Sequence, residues 1–390
     1  MKDCRILIVG GGIGGLTAAL SLQHFGFKVL VFEQAPVLRE FGAGVVITPN
    51  ATHALNFLNV GKQVIDLGSH PRVNFVRHYK TGEKLEQRPD ASFYKEKYGA
   101  DYFQAHRADL QNALSQAVLA HDPDCLRLEH VFLGLVQDEG GVTAHFKNGS
   151  SFRGEVLIGC DGSASAVRAS VFSDEPVAYT GQVAFRALIP MAQLSDEFTG
   201  EPRKLYVGPG RMFLQYPIRR DTIMNVIGIA QQPNWEKEGW SIPAEVSEFL
   251  DLYRDFHSPV GNLIAAIPPG QLFKWGLRDR EPLANWVHGR VAMLGDAAHP
   301  MTPFLGQGAV MAIEDGLILG RCFKEAATID EALSRYEGAR KMRANGVQLA
   351  SREQAKALQG QVEAGIERFG PGKSADRRGL LDYNPVLVPI

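Results

Sequence analysis

Gly10-Gly11-Gly12-Ile13-Gly14-Gly15 is the stretch that most limits the architectures open to this chain, because of what flanks it. Ahead of it, Arg5 to Val9 is apolar and β-branched, as a buried parallel strand is. Behind it, Leu16 to Phe25 carries helical spacing through Leu16, Ala19, Leu20 and Gln23. A second strand-like run, Lys28 to Phe32, ends in Glu33. Strand, glycine turn, helix, strand and acid in register predict a βαβ unit of a doubly wound α/β sheet. Gly10 permits the tight bend, Gly12 lets a pyrophosphate approach the backbone, and Gly15 lets the helix pack close to the strand. The helix N-terminus offers N–H groups to phosphates, and Glu33, with Gln34 beside it, is placed to accept hydrogen bonds from a ribose. This is an adenosine-diphosphate site. FAD, NAD and NADP all carry that half.

Two later motifs choose among them. Gly154 to Cys160 reads as another buried strand and runs into Asp161-Gly162-Ser163-Ala164-Ser165, with Arg168 following. Val291 to Leu294 is a third, running into Gly295-Asp296, and Gly306-Gln307-Gly308 then opens a helix through Ala309 to Asp315. A strand ending in an acid, followed by a glycine-bearing helix N-terminus, suits a ribityl hydroxyl and the polarised edge of a flavin. The set points to FAD. No second GxGxxG lies between a strand and a helix, so a nicotinamide cosubstrate would have no dinucleotide domain of its own.

Composition narrows the remaining classes. A chain of 390 residues, 45% hydrophobic, fills two domains, or one large domain with an insertion. With a net charge of −2 and no basic block, nucleic acid is not an expected partner. No two of Cys4, Cys125, Cys160 and Cys322 show zinc-ligand spacing, so no metal is expected and the thiols read as reduced and buried. No stretch reaches the roughly 18 apolar residues of a spanning helix; Glu314 and Asp315 interrupt the apolar run after Gly306. The expectation is a cytoplasmic protein without a membrane partner. The stretch from Gly370 to Arg378 reads as a loop before a terminal tail.

Taken together, the glycine turn with Glu33, Gly42-Ala43-Gly44, His106-Arg107-Ala108-Asp109-Leu110, Gly159-Cys160-Asp161-Gly162 with Ser165 and Arg168, and Gly295 through Gly308 resemble the single-component FAD-dependent aromatic hydroxylases. That group includes salicylate, 3-hydroxybenzoate and 6-hydroxynicotinate monooxygenases. The resemblance covers about residues 1 to 350. It implies a p-hydroxybenzoate hydroxylase-like fold, a Rossmann-type FAD domain with an inserted antiparallel-sheet substrate domain and a C-terminal helical segment. It implies that Arg107 and Asp296 hold FAD, that Gly306, Gln307 and Gly308 border the isoalloxazine, and that the Asp161-Gly162 stretch serves both FAD and the transient docking of NADH or NADPH. The activity implied is hydroxylation of a small phenolic or hydroxy-aromatic acid with NAD(P)H and dioxygen through a flavin hydroperoxide, by a monomer or homodimer. An epoxidase or hydroxypyridine-type monooxygenase on the same scaffold is the alternative, and a non-catalytic flavin-fold binding protein a third.

Residues 1–70, 100–174 and 273–330 are assigned to the FAD domain, 71–99 and 175–272 to the substrate domain, and 331–390 to a C-terminal helix and tail. In the second insert, Val183 to Ile189, Lys204 to Val207, Met212 to Ile218 and Thr222 to Ala230 read as antiparallel strands separated by turns. Alternation puts Met212, Leu214 and Tyr216 on one face and Phe213 and Gln215 on the other. Tyr216 and His299 are the candidate polar groups near the substrate ring, with Pro300 and Pro303 fixing the backbone beside the flavin. Arg186 or Arg211 is the candidate cation for a substrate carboxylate. Val46 and Met212 stand where the 6-hydroxynicotinate branch tends to have histidines, which favours a phenolic or salicylate-like acid over a pyridine carboxylate.

Overall fold

The computed structural model describes residues 4–38, 43–172, 177–235, 239, 241–359 and 379–390. Gly42, the 175 boundary and the Gly370 to Arg378 loop therefore lie outside the described residues.

The buried runs around the three motifs form one six-stranded sheet. Its order is β18 (Val287–His288), β19 (Val291–Met293), β11 (Val156–Gly159), β1 (Arg5–Val9), β2 (Lys28–Phe32) and β7 (Leu126–Arg127). All neighbours pair in parallel except β18 with β19. Because β1, β11 and β19 are adjacent and parallel, the residues following Val9, Gly159 and Met293 emerge at one edge. That edge is where the three motifs meet.

α1 (Ile13–His24) packs against α5 (Arg107–His121) and α9 (Gly308–Glu325), and α9 packs on α2 (Pro49–Phe57) and on the long α10 (Ile329–Gln359). A small antiparallel sheet of β8 (Phe132–Asp138), β9 (Gly141–Phe146) and β10 (Ser151–Gly154), which the sequence reading did not single out, covers Phe32 with Phe146 and Phe152 at ring separations of 4.5 and 4.8 Å. β3 (Gly44–Ile47) pairs with β6 (Phe103–His106). Helices α3 (Gly61–Leu67), α4 (Ala91–Tyr98) and α6 (Ala166–Val171) complete this region.

The second sheet has eight strands, in the order β16 (Ile242–Pro243), β17 (Leu272–Asp279), β12 (Ala178–Pro190), β15 (Ile223–Gln231), β14 (Arg211–Ile218), β13 (Lys204–Gly208), β4 (Asn74–His78) and β5 (Lys84–Arg88). The strands read from the second insert pair antiparallel, β4 of the first insert joins β13 in parallel, and the expected boundary at 272 is corrected because β17 carries the sheet on to Asp279. The strand from the first insert reaches that edge by a long path rather than a hairpin.

The two faces of this sheet bury different things. Phe185, Phe213 and Val226 join Phe249 and Tyr253 of α7 (Val246–Tyr253) and Val260 and Leu263 of α8 (Ser258–Ala265) in one core. Ala184, Met212, Leu214 and Ile229 lie in another cluster with Leu358 of α10 and Phe304. That second face is turned toward the motif edge of the first sheet.

Candidate active site

At Gly10 and Gly15 the backbone leaves no room for side chains. A Cβ on Gly10, where φ is +112°, would lie 2.3 Å from the Cys160 carbonyl oxygen, and one on Gly15 would lie 2.0 Å from that of Gly10. A Cβ on Gly12 would meet nothing within 4 Å, so that side of the turn is open. Gly12 caps α1 without a side-chain hydrogen bond, leaving the first N–H groups of the helix for a phosphate. Glu33 accepts from the N–H groups of Gly11 and Ala35, at 2.8 and 2.9 Å, which fixes its carboxylate beside the turn. Gln34 is exposed next to it.

Asp161 lies between the end of β11 and the start of α6. Its carboxylate accepts from Ser165 Oγ and from the Val167 N–H at 3.0 Å, so it organises the start of α6. Burial raises its pKa, and those hydrogen bonds oppose the rise. Ser165 in turn caps α6 through the Arg168 N–H at 2.8 Å.

Asp296 is half-buried, and no described residue donates a hydrogen bond to it. Gly308 stands beside it, its Cβ position 3.8 Å from Asp296 Oδ1. Gly306, with φ of +64°, is exposed and open, and α9 begins at Gly308 with no side-chain cap. The Gln307 amide is spent inward, toward Thr48 and Asn50. An open glycine turn, two uncapped helix N-termini and a carboxylate without a donor fit FAD along this edge. Glu33, the α1 N-terminus, Asp296 and the backbone at 306–308 would hold it, and Arg107, whose N–H donates to the Ala43 carbonyl at 2.9 Å, opens α5 nearby.

His299 is a correction. It is fully buried, stacked on Trp286 at 5.2 Å, and its Nε2 lies 2.6 Å from Asp315 Oδ2. Asp315 also meets Arg340 Nε at 2.7 Å and the Gly295 N–H at 3.1 Å. Glu314, one residue earlier, is buried against Arg340, Arg343 and the Asn50 amide. The two acids that interrupt the α9 apolar run thus hold a buried network beneath the Gly295-Asp296 turn, and His299 belongs to it rather than to a substrate pocket. Pro300 is buried and Pro303 exposed at the start of a short 3-10 turn, Pro303–Leu305.

The polar groups of the substrate face come from elsewhere. Tyr216 and Asn225 are paired across β14 and β15. Asn225 Oδ1 accepts from the Gly44 N–H at 2.8 Å, leaving its buried Nδ2 without a partner. A Cβ on Gly44 would strike the Tyr216 ring at 2.6 Å, so only glycine lets β3 approach here. Gln104 shares that face of the β3 and β6 pair with Gly44 and Val46, is fully buried, and has neither amide atom hydrogen-bonded. Val46 packs on the Tyr94, Tyr98 and Tyr102 cluster.

Arg203 donates to Tyr102 Oη at 3.1 Å and lies over the Tyr102 ring, with the phenols of Tyr94 and Tyr216 close by. Among the described residues no carboxylate pairs with it. Burial pushes the Tyr216 phenol well above its usual pKa, so it stays protonated and is able to donate. Arg186 lies over the Trp275 ring at 5.1 Å, on the same face. Arg211 is excluded as the substrate cation: it is bidentate to Asp255, at 2.7 and 2.8 Å, and sits over Phe256 behind the sheet.

Arg203, Asn225 and Gln104 were not anticipated from sequence. A polar residue in the middle of an apolar strand, as Asn225 is in Ile223 to Ala230 and Gln104 between Phe103 and Ala105, was the available signal.

Comparison with known proteins gives a consistent result. The family described as FAD binding domain matches residues 3–351. The 6-hydroxynicotinate 3-monooxygenase of Pseudomonas fluorescens is 34% identical over 355 residues, covering 90% of each chain. The 3-hydroxybenzoate 6-hydroxylase of Polaromonas naphthalenivorans is 32% identical over 370 residues, covering 94% of this chain and 90% of that one. Among solved structures, Klebsiella pneumoniae HpxO complexed with FAD and uric acid superposes with a TM-score of 0.85 at 27% identity, over 97% of this chain and 96% of that one.

Proposed function

From the premise that this chain belongs to the FAD-binding-domain family and is an FAD-dependent aromatic monooxygenase, we propose that its substrate is a small hydroxy-aromatic acid of the phenolic or salicylate type, with NADH or NADPH as electron donor. One atom of dioxygen enters the ring and the other leaves as water, with two electrons from the reduced nicotinamide. FAD supplies the electron relay and the oxygen chemistry.

The observation that carries the substrate class is Arg203, a half-buried cation among three phenols with no carboxylate of its own. A cation in such a place favours an anionic ligand, and a carboxylate is the anion these rings bear. Tyr216, as a donor, would orient the ring hydroxyl. Met212, Leu214 and Phe304 supply apolar wall between the sheet and the 306–308 backbone, excluding water. Val46 and Met212, apolar here, support a benzene ring. Gln104, offering an unpaired donor and acceptor together, favours a hydroxypyridine-type ring as the second reading.

The test is a panel of salicylate, 3-hydroxybenzoate and 6-hydroxynicotinate, scored for hydroxylated product per NAD(P)H consumed. Product from a benzoate supports the first reading, product from the pyridine alone the second, and peroxide alone from every compound rejects both. The same proposal carries a monomer or homodimer and a cytoplasmic location. Among the described residues no helix is long and apolar enough to cross a membrane.

A further inference from the structure

The hairpin that carries Tyr216 and Asn225 does more than line a pocket, because its tip reaches the cofactor domain. Ile218 and Ile223 are paired, so residues 219–222 form the tip. Arg219, Arg220 and Asp221 all have positive φ, at 51°, 54° and 60°. Three successive non-glycine residues in the left-handed region are strained and persist only where their surroundings hold them.

Within the tip, Thr222 donates to the Arg219 carbonyl through Oγ1 at 2.6 Å and N–H at 3.2 Å, and further holding groups come from outside the hairpin. Arg219 is bidentate to Asp109, with Nε to Oδ2 at 2.8 Å and Nη2 to Oδ1 at 2.6 Å. Arg220 Nε donates to the Asp66 carbonyl at 2.7 Å, and the Asp221 N–H donates to Ser69 Oγ at 2.9 Å.

Asp109 lies in the first turn of α5, two residues after Arg107. One turn after Arg107, Gln111 Nε2 donates to the Gly11 carbonyl at 3.1 Å, inside the phosphate turn. Near the other end of the tip, Asn225 holds the Gly44 N–H. The substrate hairpin therefore grips α5 and β3, and α5 grips the turn that would carry the pyrophosphate.

We infer that Arg219 is a positioning residue for FAD: through Asp109 it sets α5 against the phosphate turn, so that FAD and a ligand on the substrate face raise each other's affinity. The ligand half rests on the proposed function. The FAD half rests on the geometry alone. Linkage makes the coupling reciprocal.

The full-length apoprotein is titrated with FAD for the parent, Arg219→Ala, Asp109→Asn, the double variant and Arg219→Lys, with Arg153→Ala at the exposed Asp138 pair as control. Each single loss is expected to weaken FAD about tenfold and the double variant no more than either, while Arg219→Lys keeps most of the affinity and Arg153→Ala all of it. Circular dichroism of each apoprotein identifies a variant that fails to fold, and Arg219→Gln, its reach kept but its charge and fork lost, then carries the test with the same expected tenfold loss.

FAD affinities equal to the parent, or losses that add in the double variant, overturn the inference. With whichever of salicylate, 3-hydroxybenzoate and 6-hydroxynicotinate the parent hydroxylates, FAD binding should tighten at least threefold in the parent and not in Arg219→Ala; an equal gain in both overturns the ligand half. If none is hydroxylated, the proposed function fails while the FAD titrations still decide the role of Arg219.

Discussion

His299 Nε2 meets Asp315 Oδ2 at 2.6 Å with both side chains fully excluded from solvent. Burial drives the Asp315 pKa upward, but the charges of His299 and Arg340 outweigh it and hold the carboxyl below its ordinary value. Removing His299 leaves a buried carboxylate with less compensation. His299→Ala should destabilise the protein by about 3–5 kcal/mol in urea unfolding and shift the Gly295-Asp296 turn. A variant with parental stability that loses only turnover would show that His299 acts in the chemistry after all. Since the folded pKa of Asp315 is depressed, its contribution is present above the unfolded value of about 3.9 and is lost as pH falls through the folded one.

Asp296 and Glu33 should separate cofactor binding from folding. No described residue donates to Asp296, so Asp296→Ala should leave apoprotein stability within about 0.5 kcal/mol of the parent and weaken FAD by about 1.5–3 kcal/mol. Glu33 accepts from Gly11 and Ala35, so Glu33→Ala should cost about 1 kcal/mol of apoprotein stability together with a milder loss of FAD. Thermal melts of the apoproteins beside FAD titrations check both, and identical FAD retention in all three proteins would refute the assignment.

Arg203→Met should raise KM for an aromatic acid roughly 10- to 150-fold, about 1.5–3 kcal/mol for the charge-assisted hydrogen bond that the proposed carboxylate would lose. The same variant should treat the corresponding uncharged phenol as the parent does. Equal losses for acid and phenol would mean that Arg203 shapes the pocket and does not read the carboxylate.

Burial first, then the Arg219 charge, lowers the pKa of His106, with Asp109 opposing and Arg186 adding to the fall. A histidine whose folded pKa lies below the unfolded value of about 6.5 takes up protons on unfolding, so its contribution is full above that pH and declines as pH drops through it. The parent should therefore lose more unfolding free energy between pH 7.5 and 5.5 than His106→Asn does. Matching slopes would contradict the shift.

Only one dinucleotide unit is present among the described residues, so a nicotinamide must reach the flavin transiently and reduction is open to control by the substrate. Anaerobic reduction by NAD(P)H is expected to be at least about tenfold faster with the aromatic substrate present, a difference of ~1.4 kcal/mol in barrier. Stopped-flow bleaching of the flavin measures it; equal rates remove substrate control from the reaction while leaving its class intact.

The βαβ unit that would hold FAD was legible in the chain because its parts are local. A glycine turn, the strand before it and the acid after the next strand act through backbone conformation and close approach, which residue type specifies directly. The strand, turn and helix around Gly10 to Gly15, with Glu33 after the next strand, were readable for that reason. The Met212, Leu214 and Tyr216 face followed from the two-residue period of a strand.

What tertiary structure alone decided is which polar side chains share a space. His299 follows Asp296 in sequence, yet Asp315, sixteen residues on, pulls it into a buried network that no spacing rule describes. Arg203 and Arg211 are both arginines beside the same strand, and only the packing of α7 and its Asp255 neighbour decides that Arg211 is neutralised behind the sheet while Arg203 faces three phenols. Electrostatic identity of this kind depends on desolvation and on through-space partners, and the fold sets both.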